Sequence, residues 1–312
     1  MDRKKINNEI LIYLSKNIRT LFENITSDVL DKLTEIRIVN GGPIIVKFDS
    51  KGFYLCNNGI SKHSQNAYIV SEDDMGIITE LITKSSVYTY EKYINRGFVT
   101  LPGGHRVGIA GNCTVEKNVI YNVKEYNSFI FRIAREVLGA SEIIFDEIFF
   151  DGNIKNTVII SPPACGKTTL LRDIARAFSN FNRVNRLLSC AIIDERYELA
   201  AVHNGKSSLD IGANNFVISG CVKSLAIPMV VRSMSPDIII VDEMMNSNDF
   251  EAAQYALASG VKLIASVHGR DEYCNEMNNY NIRRMFEKII ILSNAEGAGT
   301  ISKIIDGEKN VC

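Results

Sequence analysis

The chain has 312 residues, 46% of them hydrophobic and 23% charged, with a net charge of −1. That make-up supports a buried core, leaves room for two modest domains and excludes a disordered polymer; the near-neutral balance gives no polyanion signal, so no nucleic-acid partner is expected. No apolar run approaches the ~20 residues that span a bilayer, no secretory leader is read, and the cysteines lack a C-x-x-C pair, which argues against disulfides or zinc and for a reducing cytosol.

From Lys5 to Asn24, Ile6, Ile10, Leu14, Ile18, Leu21 and Phe22 follow helical spacing and predict one amphipathic helix. Arg3, Lys4, Lys5, Lys16 and Arg19 make its polar side basic. Such a face either lies on an anionic membrane or stands in water above an apolar stripe packed on its own domain; the second is the commoner arrangement. Thr34–Ile38, Pro43–Phe48 and Gly52–Leu55 read as strands, with Asn40-Gly41-Gly42 as the hairpin turn between the first two. Ser71-Glu72-Asp73-Asp74 resembles a capping box ahead of a helix carrying Met75, Ile78, Leu81 and Ile82. Gly97–Leu101 and His105–Ile109 are further strands around Pro102-Gly103-Gly104, and Phe129–Arg135 is apolar with two arginines. Residues 1–140 therefore form a smaller mixed α/β domain.

Residues 141–312 read as a second domain. Ser141 to Asn156 crosses into it, with Ile143, Ile144, Ile148 and Phe149 at helical spacing. Thr157–Ile160, Leu187–Ile193, Ile238–Val241 and Val261–Val267 are apolar strands. Phe250–Ser259 is a helix with Ser247 or Asn248 as N-cap and Gly260 as its stop, and Lys288–Leu292 and Thr300–Ile305 are closing strands. Strands of this kind alternating with helices predict an α/β fold with a mostly parallel sheet, whose ligands bind at the C-terminal strand ends.

Polar residues collect at those ends. After Thr157–Ile160 comes Ser161-Pro162-Pro163-Ala164-Cys165-Gly166-Lys167-Thr168-Thr169. A strand, a loop and a helix with Gly-Lys-Thr at the junction is the context of a P-loop, whose backbone N–H groups cradle phosphates. ATP is the expected nucleotide. Lys167 is expected to reach the β- and γ-phosphates and Thr168 to ligate Mg²⁺. The pattern G-x-x-x-x-G-K-[ST] has Ser161 in place of its first glycine. Asp242-Glu243 ends another strand in the Walker-B manner, with Asp242 for the Mg²⁺ shell and Glu243 for the attacking water. Asp194-Glu195-Arg196 and His268 end two more strands and belong to the same set, Asp194 and Glu195 as nucleotide-binding residues and His268 positioned to sense a γ-phosphate. No metal beyond Mg²⁺ is expected.

Val231-Arg232-Ser233-Met234-Ser235-Pro236-Asp237, running into the Asp242-Glu243 strand, is similar to the L-R-x-x-P-D of the bacterial type II and IV secretion ATPases and pilus motors. The acidic residues from Asp194 and the histidine at 268 match boxes of the same enzymes. Within that superfamily the chain resembles the stage III sporulation protein AA family, through Gly97–Ile109, Phe131–Val137, Pro162–Asp173 and Arg232–Glu243.

The resemblance implies a RecA-like P-loop ATPase domain behind a family-specific N-terminal domain, assembled as a homo-oligomeric, hexameric ring. It implies a cytoplasmic position peripheral to the mother-cell membrane facing the forespore, with inner-membrane proteins of the stage III sporulation channel as partners. It also implies N-terminal arginines that approach the nucleotide, Arg106 and Arg132 first, then Arg96 and Arg135. Ala164, where relatives often have glycine, and Met244-Met245-Asn246-Ser247 depart from the family pattern. A nucleotide-binding scaffold with little or no hydrolysis therefore stands as the alternative.

Overall fold

The computed structural model describes residues 3–49, 51–84, 97–116, 119–203, 205–269 and 279–307. The chain divides into two units, Met1–Glu136 and Val137–Cys312.

In the first unit, β1 (Leu33–Val39), β2 (Ile45–Phe48), β3 (Lys51–Cys56), β4 (Gly59–Ser61), β5 (Phe98–Thr100), β6 (Arg106–Glu116) and β7 (Val119–Arg132) make one antiparallel sheet in the order β4-β3-β2-β1-β7-β6-β5. The turn from β1 to β2 puts Gly41 at φ 67°, a conformation that glycine adopts without a Cβ penalty. Helices α1 (Arg3–Glu9), α2 (Lys16–Leu21) and α3 (Glu72–Lys84) contribute to the same core as the sheet. The N–H of Asp74 is bound by the Ser71 hydroxyl and the N–H of Ser71 by the Asp74 carboxylate, each at 3.1 Å, so the expected capping box forms.

The single helix expected over Lys5–Asn24 is instead broken at Ser15. Ser15 is extended (φ −60°, ψ 156°), accepts the Ile18 N–H as N-cap of α2, and donates its hydroxyl to the buried carboxylate of Asp74. A short 3₁₀ turn at Leu11–Tyr13 carries the apolar stripe across the break, so Ile6, Ile10, Leu14, Ile18, Leu21 and Phe22 are all still buried in the unit's core. No helix among the described residues is long and apolar enough to cross a membrane.

The second unit is built on β8 (Thr157–Ser161), β9 (Cys190–Asp194), β10 (Asn215–Ser219), β11 (Ile238–Val241), β12 (Lys262–His268), β13 (Lys288–Ser293) and β14 (Thr300–Asp306). Their order is β10-β9-β11-β12-β8-β13-β14, parallel throughout except for the closing β13–β14 pair. Strand side chains alternate between two cores, as a period of two requires. Ile159, Ile192, Ile240, Ile264 and Ile290 pack on one face with α4 (Glu142–Ile148) and α5 (Lys167–Phe178). Val158, Ile193, Ile239, Leu263 and Ile289 pack on the other with α6 (Lys223–Met234), α7 (Ser247–Ala258) and α8 (Asn279–Met285).

Three local expectations shift. The strand expected from Leu187 starts only at Cys190, because Asp237 Oδ2 captures the Ser189 N–H at 2.8 Å and leaves Leu187 70% exposed. The N-cap of α7 is Asn246, whose side chain and that of Asp249 exchange hydrogen bonds with each other's backbone. The edge strand β10 and the helix α6, which contains Pro228, have weak signatures and are not read from the sequence.

Asp173, on α5, fixes the entry to this unit. It accepts from Gly139 N (3.0 Å), Ser141 N and Ser141 Oγ (2.7 Å each), and pairs with Arg176. Burial alone would push its carboxyl up, but Ser141, Arg176 and the Gly139 N–H together hold it below the usual aspartate value. Asp173→Ala strands these donors and is expected to cost about 2–3 kcal/mol. With the folded value depressed, that stability is present above the unfolded value of ~4 and is lost as pH falls through the folded one. Urea midpoints should therefore separate wild type and variant at neutral pH and converge in acid.

Candidate nucleotide-binding site

β8 ends in Ser161, which pairs with His268 at the end of the neighbouring β12. The loop then turns through Ala164 (φ 61°) and Gly166 (φ 88°) before α5 begins at Lys167. Pro163 and Ala164 are exposed, and Cys165 is buried with its carbonyl accepting the Gly299 N–H at 3.0 Å. No side chain caps α5, and an uncapped helix N-terminus leaves first-turn N–H groups able to bind phosphate. A Cβ on Gly166 would lie 3.2 Å from Gly299 N, a second reason for glycine there. Ser161 has no left-handed backbone and its side chain is accommodated: the hydroxyl donates to Pro162 O and accepts from Lys167. Ser161→Gly is therefore expected to leave ATP affinity unchanged by titration calorimetry; markedly tighter binding would show the native loop to be compromised.

Lys167 is 6% exposed. Its Nζ lies 3.2 Å from Ser161 O, Ser161 Oγ and Pro162 O, and 3.1 Å from His268 Nδ1. Burial pushes its pKa down, while the charges of Asp242 and Glu243 work in the opposite direction. An ammonium on Nδ1 makes that nitrogen the acceptor, so His268 Nε2–H donates to Glu243 Oε1, 2.8 Å away. Thus one imidazole joins the lysine of the loop to the carboxylate of β11.

Thr168 Oγ1 donates to Asp242 Oδ2 at 2.7 Å, and the Ser266 hydroxyl donates to Asp242 Oδ1. Among the described residues no cluster of three or more His, Cys, Asp or Glu forms a metal cage. Thr168 and Asp242 are hard oxygen donors beside a phosphate loop. They fit Mg²⁺, which takes one or two protein oxygens and completes its shell with phosphate and water. Glu243 has φ 49°, its N–H is held by Ser266 Oγ at 3.0 Å, and its Oε2 is ion-paired with Arg196.

The acidic strand end behaves differently. Asp194 is 2% exposed and accepts the N–H groups of Glu198, Leu199 and Ala200. Burial raises its pKa, against the pull of those N–H groups. Its carboxylate thus shapes the following loop. Glu195 pairs with buried Lys223 at 2.6 Å.

Ser161, Lys167, Thr168, Asp242, Glu243 and His268 are therefore brought together. Arg106 and Arg132 belong to the first unit, where they are register partners across β6 and β7; the Arg106 guanidinium stacks 3.9 Å from the Phe98 ring centroid and Arg132 is exposed. Arg135, also in that unit, donates to Leu33 O, and Arg96 lies outside the described residues. Sequence reasoning misses Ser266 and gives Arg196 no role. Ser266 had a signal, as a hydroxyl inside a buried apolar strand that must find a partner. Arg196 had none.

The family model described as sporulation stage III, protein AA matches residues 2–311. The chain is 33% identical over 309 residues to the stage III sporulation protein AA of Bacillus subtilis (strain 168), covering 97% of this chain and 96% of that protein. Among solved structures it is similar to the Yersinia pseudotuberculosis ATPase DotB (TM-score 0.58, 13% identity, 95% of this chain and 81% of that one). It is also similar to the pilus retraction motor PilT with bound ADP (TM-score 0.55, 15% identity, 91% and 82%). At such identity these likenesses show the fold, which is that of the RecA-like P-loop secretion ATPases.

Proposed function

The chain belongs to the sporulation stage III protein AA family, and from that premise we propose that it is a Mg²⁺-dependent ATPase of the secretion-ATPase class. The 2.7 Å bond from Thr168 to Asp242 carries the reading, because it joins the P-loop to the Walker-B strand at the place a metal–phosphate pair requires. The first-turn N–H groups of α5 and the Lys167 ammonium bind the β- and γ-phosphates. Thr168 and Asp242 hold Mg²⁺, which supplies charge neutralisation at the phosphate oxygens. Glu243 orients and deprotonates the attacking water, and His268, between Lys167 and Glu243, reports phosphate to the carboxylate. Arg106 and Arg132 are assigned to neutralising γ-phosphate charge on the family resemblance alone.

In this proposal the chain works as a homo-oligomeric, hexameric ring, peripheral to the mother-cell membrane facing the forespore. There it acts with membrane-bound proteins of the stage III channel. A second reading, a nucleotide-binding scaffold with negligible turnover, is favoured by one observation: both carboxylate oxygens of Glu243 are engaged. ATP turnover by the purified chain, measured against Glu243→Gln as blank, separates the two. Turnover above the blank removes the scaffold reading, and turnover at the blank removes the ATPase.

A further inference from the structure

Glu243 Oε1 is hydrogen-bonded by His268, while Oε2 is buried without a hydrogen bond and lies in an ion pair with Arg196, whose guanidinium also reaches Met245 Sδ at 3.6 Å. Arg196 stands on the loop after β9, and that loop is held from three sides. Asp194 collects its backbone N–H groups; Glu195 binds Lys223 of α6; and buried Arg172 of α5 donates to Leu199 O at 2.6 Å and Glu198 O at 2.7 Å. Tyr197 adopts φ 60° and fits against Gly220, where a Cβ would lie 2.4 Å from the phenol oxygen. The place of Arg196 is therefore set by the P-loop helix and by the neighbouring strand ends together.

We propose that Arg196 is a positioning residue that restrains Glu243 in a resting arrangement, and that turnover requires the Arg196–Glu243 pair to open. The proposal rests on the ATPase reading. A carboxylate paired with a guanidinium is a weaker base and cannot turn that oxygen towards water. The route for release is built in. Helix α5 starts at Lys167, so a displacement of its first turn by phosphate passes through Arg172 to the carbonyls of Glu198 and Leu199, beside Arg196. The pair is also weak enough to open, since the Arg196 side chain is 42% exposed and solvent screens it.

The test uses the purified full chain. Arg196→Ala should raise kcat roughly two- to fivefold, the size of a half-exposed ion pair, with KM for ATP unchanged. Arg196→Lys, which keeps the charge, should rise less. In nucleotide-free protein, the melting-temperature changes of Arg196→Ala and Glu243→Gln should be non-additive in the double variant, as expected of partners. A kcat at or below wild type for Arg196→Ala, or additive melting shifts, overturns the restraint. If ATP binds but wild type and Arg196→Ala are both as silent as Glu243→Gln, the restraint fails while nucleotide binding stands. Absence of ATP binding in wild type overturns the ATPase reading and the restraint with it.

Discussion

Lys167→Ala abolishes ATP binding, and turnover with it, while the protein stays folded. The lysine is the one cation buried inside the loop, and its Nζ is ringed by carbonyl and hydroxyl oxygens and by His268 Nδ1. Phosphate oxygens are stronger acceptors for an ammonium than those groups, so the same atom that closes the loop on itself turns to ligand when ligand arrives. Truncation removes the charge at the centre of the site and costs at least about 100-fold in affinity, or ~2.7 kcal/mol. Titration calorimetry with ATP reads the loss directly. Lys167→Arg should not restore it, because a planar guanidinium does not replace a compact ammonium held at 3.1–3.2 Å by Ser161, Pro162 and His268 together. Undiminished binding by the alanine variant would remove Lys167 from the phosphate site.

Glu243→Gln separates binding from chemistry. The residue meets the phosphate-binding Lys167 through His268 and not by a direct hydrogen bond, so ATP affinity should be close to wild type. The amide still accepts from His268 but cannot take a proton from water, and turnover should drop by about 10²–10⁴. Its NH₂ also faces the Arg196 guanidinium, donor against donor, so the melting point should fall slightly. The diagnostic is the split: calorimetry with ATP unchanged and phosphate release lost. A parallel fall in both, or in neither, would take Glu243 out of the role of base.

How far the site was legible follows from how its residues are tied. Lys167, Thr168, Asp242, Glu243 and His268 follow buried strands, and buried strands announce themselves by runs such as Ile238–Val241. Once those runs are aligned as a parallel sheet, their ends must meet. Ser266 and Arg196 escaped because their parts depend on pairs formed only in three dimensions: Ser266 Oγ with Asp242 and with the Glu243 N–H, and Arg196 with Glu243. The fold shows the same division. Turn and cap chemistry at Gly41 and Ser71 is local and readable. The break at Ser15 is not, because its cause is Asp74, far along the chain. The outer half of β6 and β7 also hid, since Gly111, Asn112, Lys124 and Glu125 give it no apolar alternation and its register shifts at bulges.

Four of the left-handed residues of the second unit sit just past its central strands, with a consequence for anyone who would engineer it. Ala164 follows β8, Tyr197 and Ala201 follow β9, and Glu243 follows β11, each with φ between 49° and 61°. Glycine replacement at such positions is a standard route to a hardier protein, because a Cβ there costs roughly 1 kcal/mol. At these four that route leads into the phosphate loop, the Arg196 loop and the carboxylate itself. A thermostability screen would enrich for inert variants at the strand ends. Tougher and still working versions would have to be sought away from them, at the left-handed Asp151, Asn185 and Ser235 or at the helix caps of the first unit.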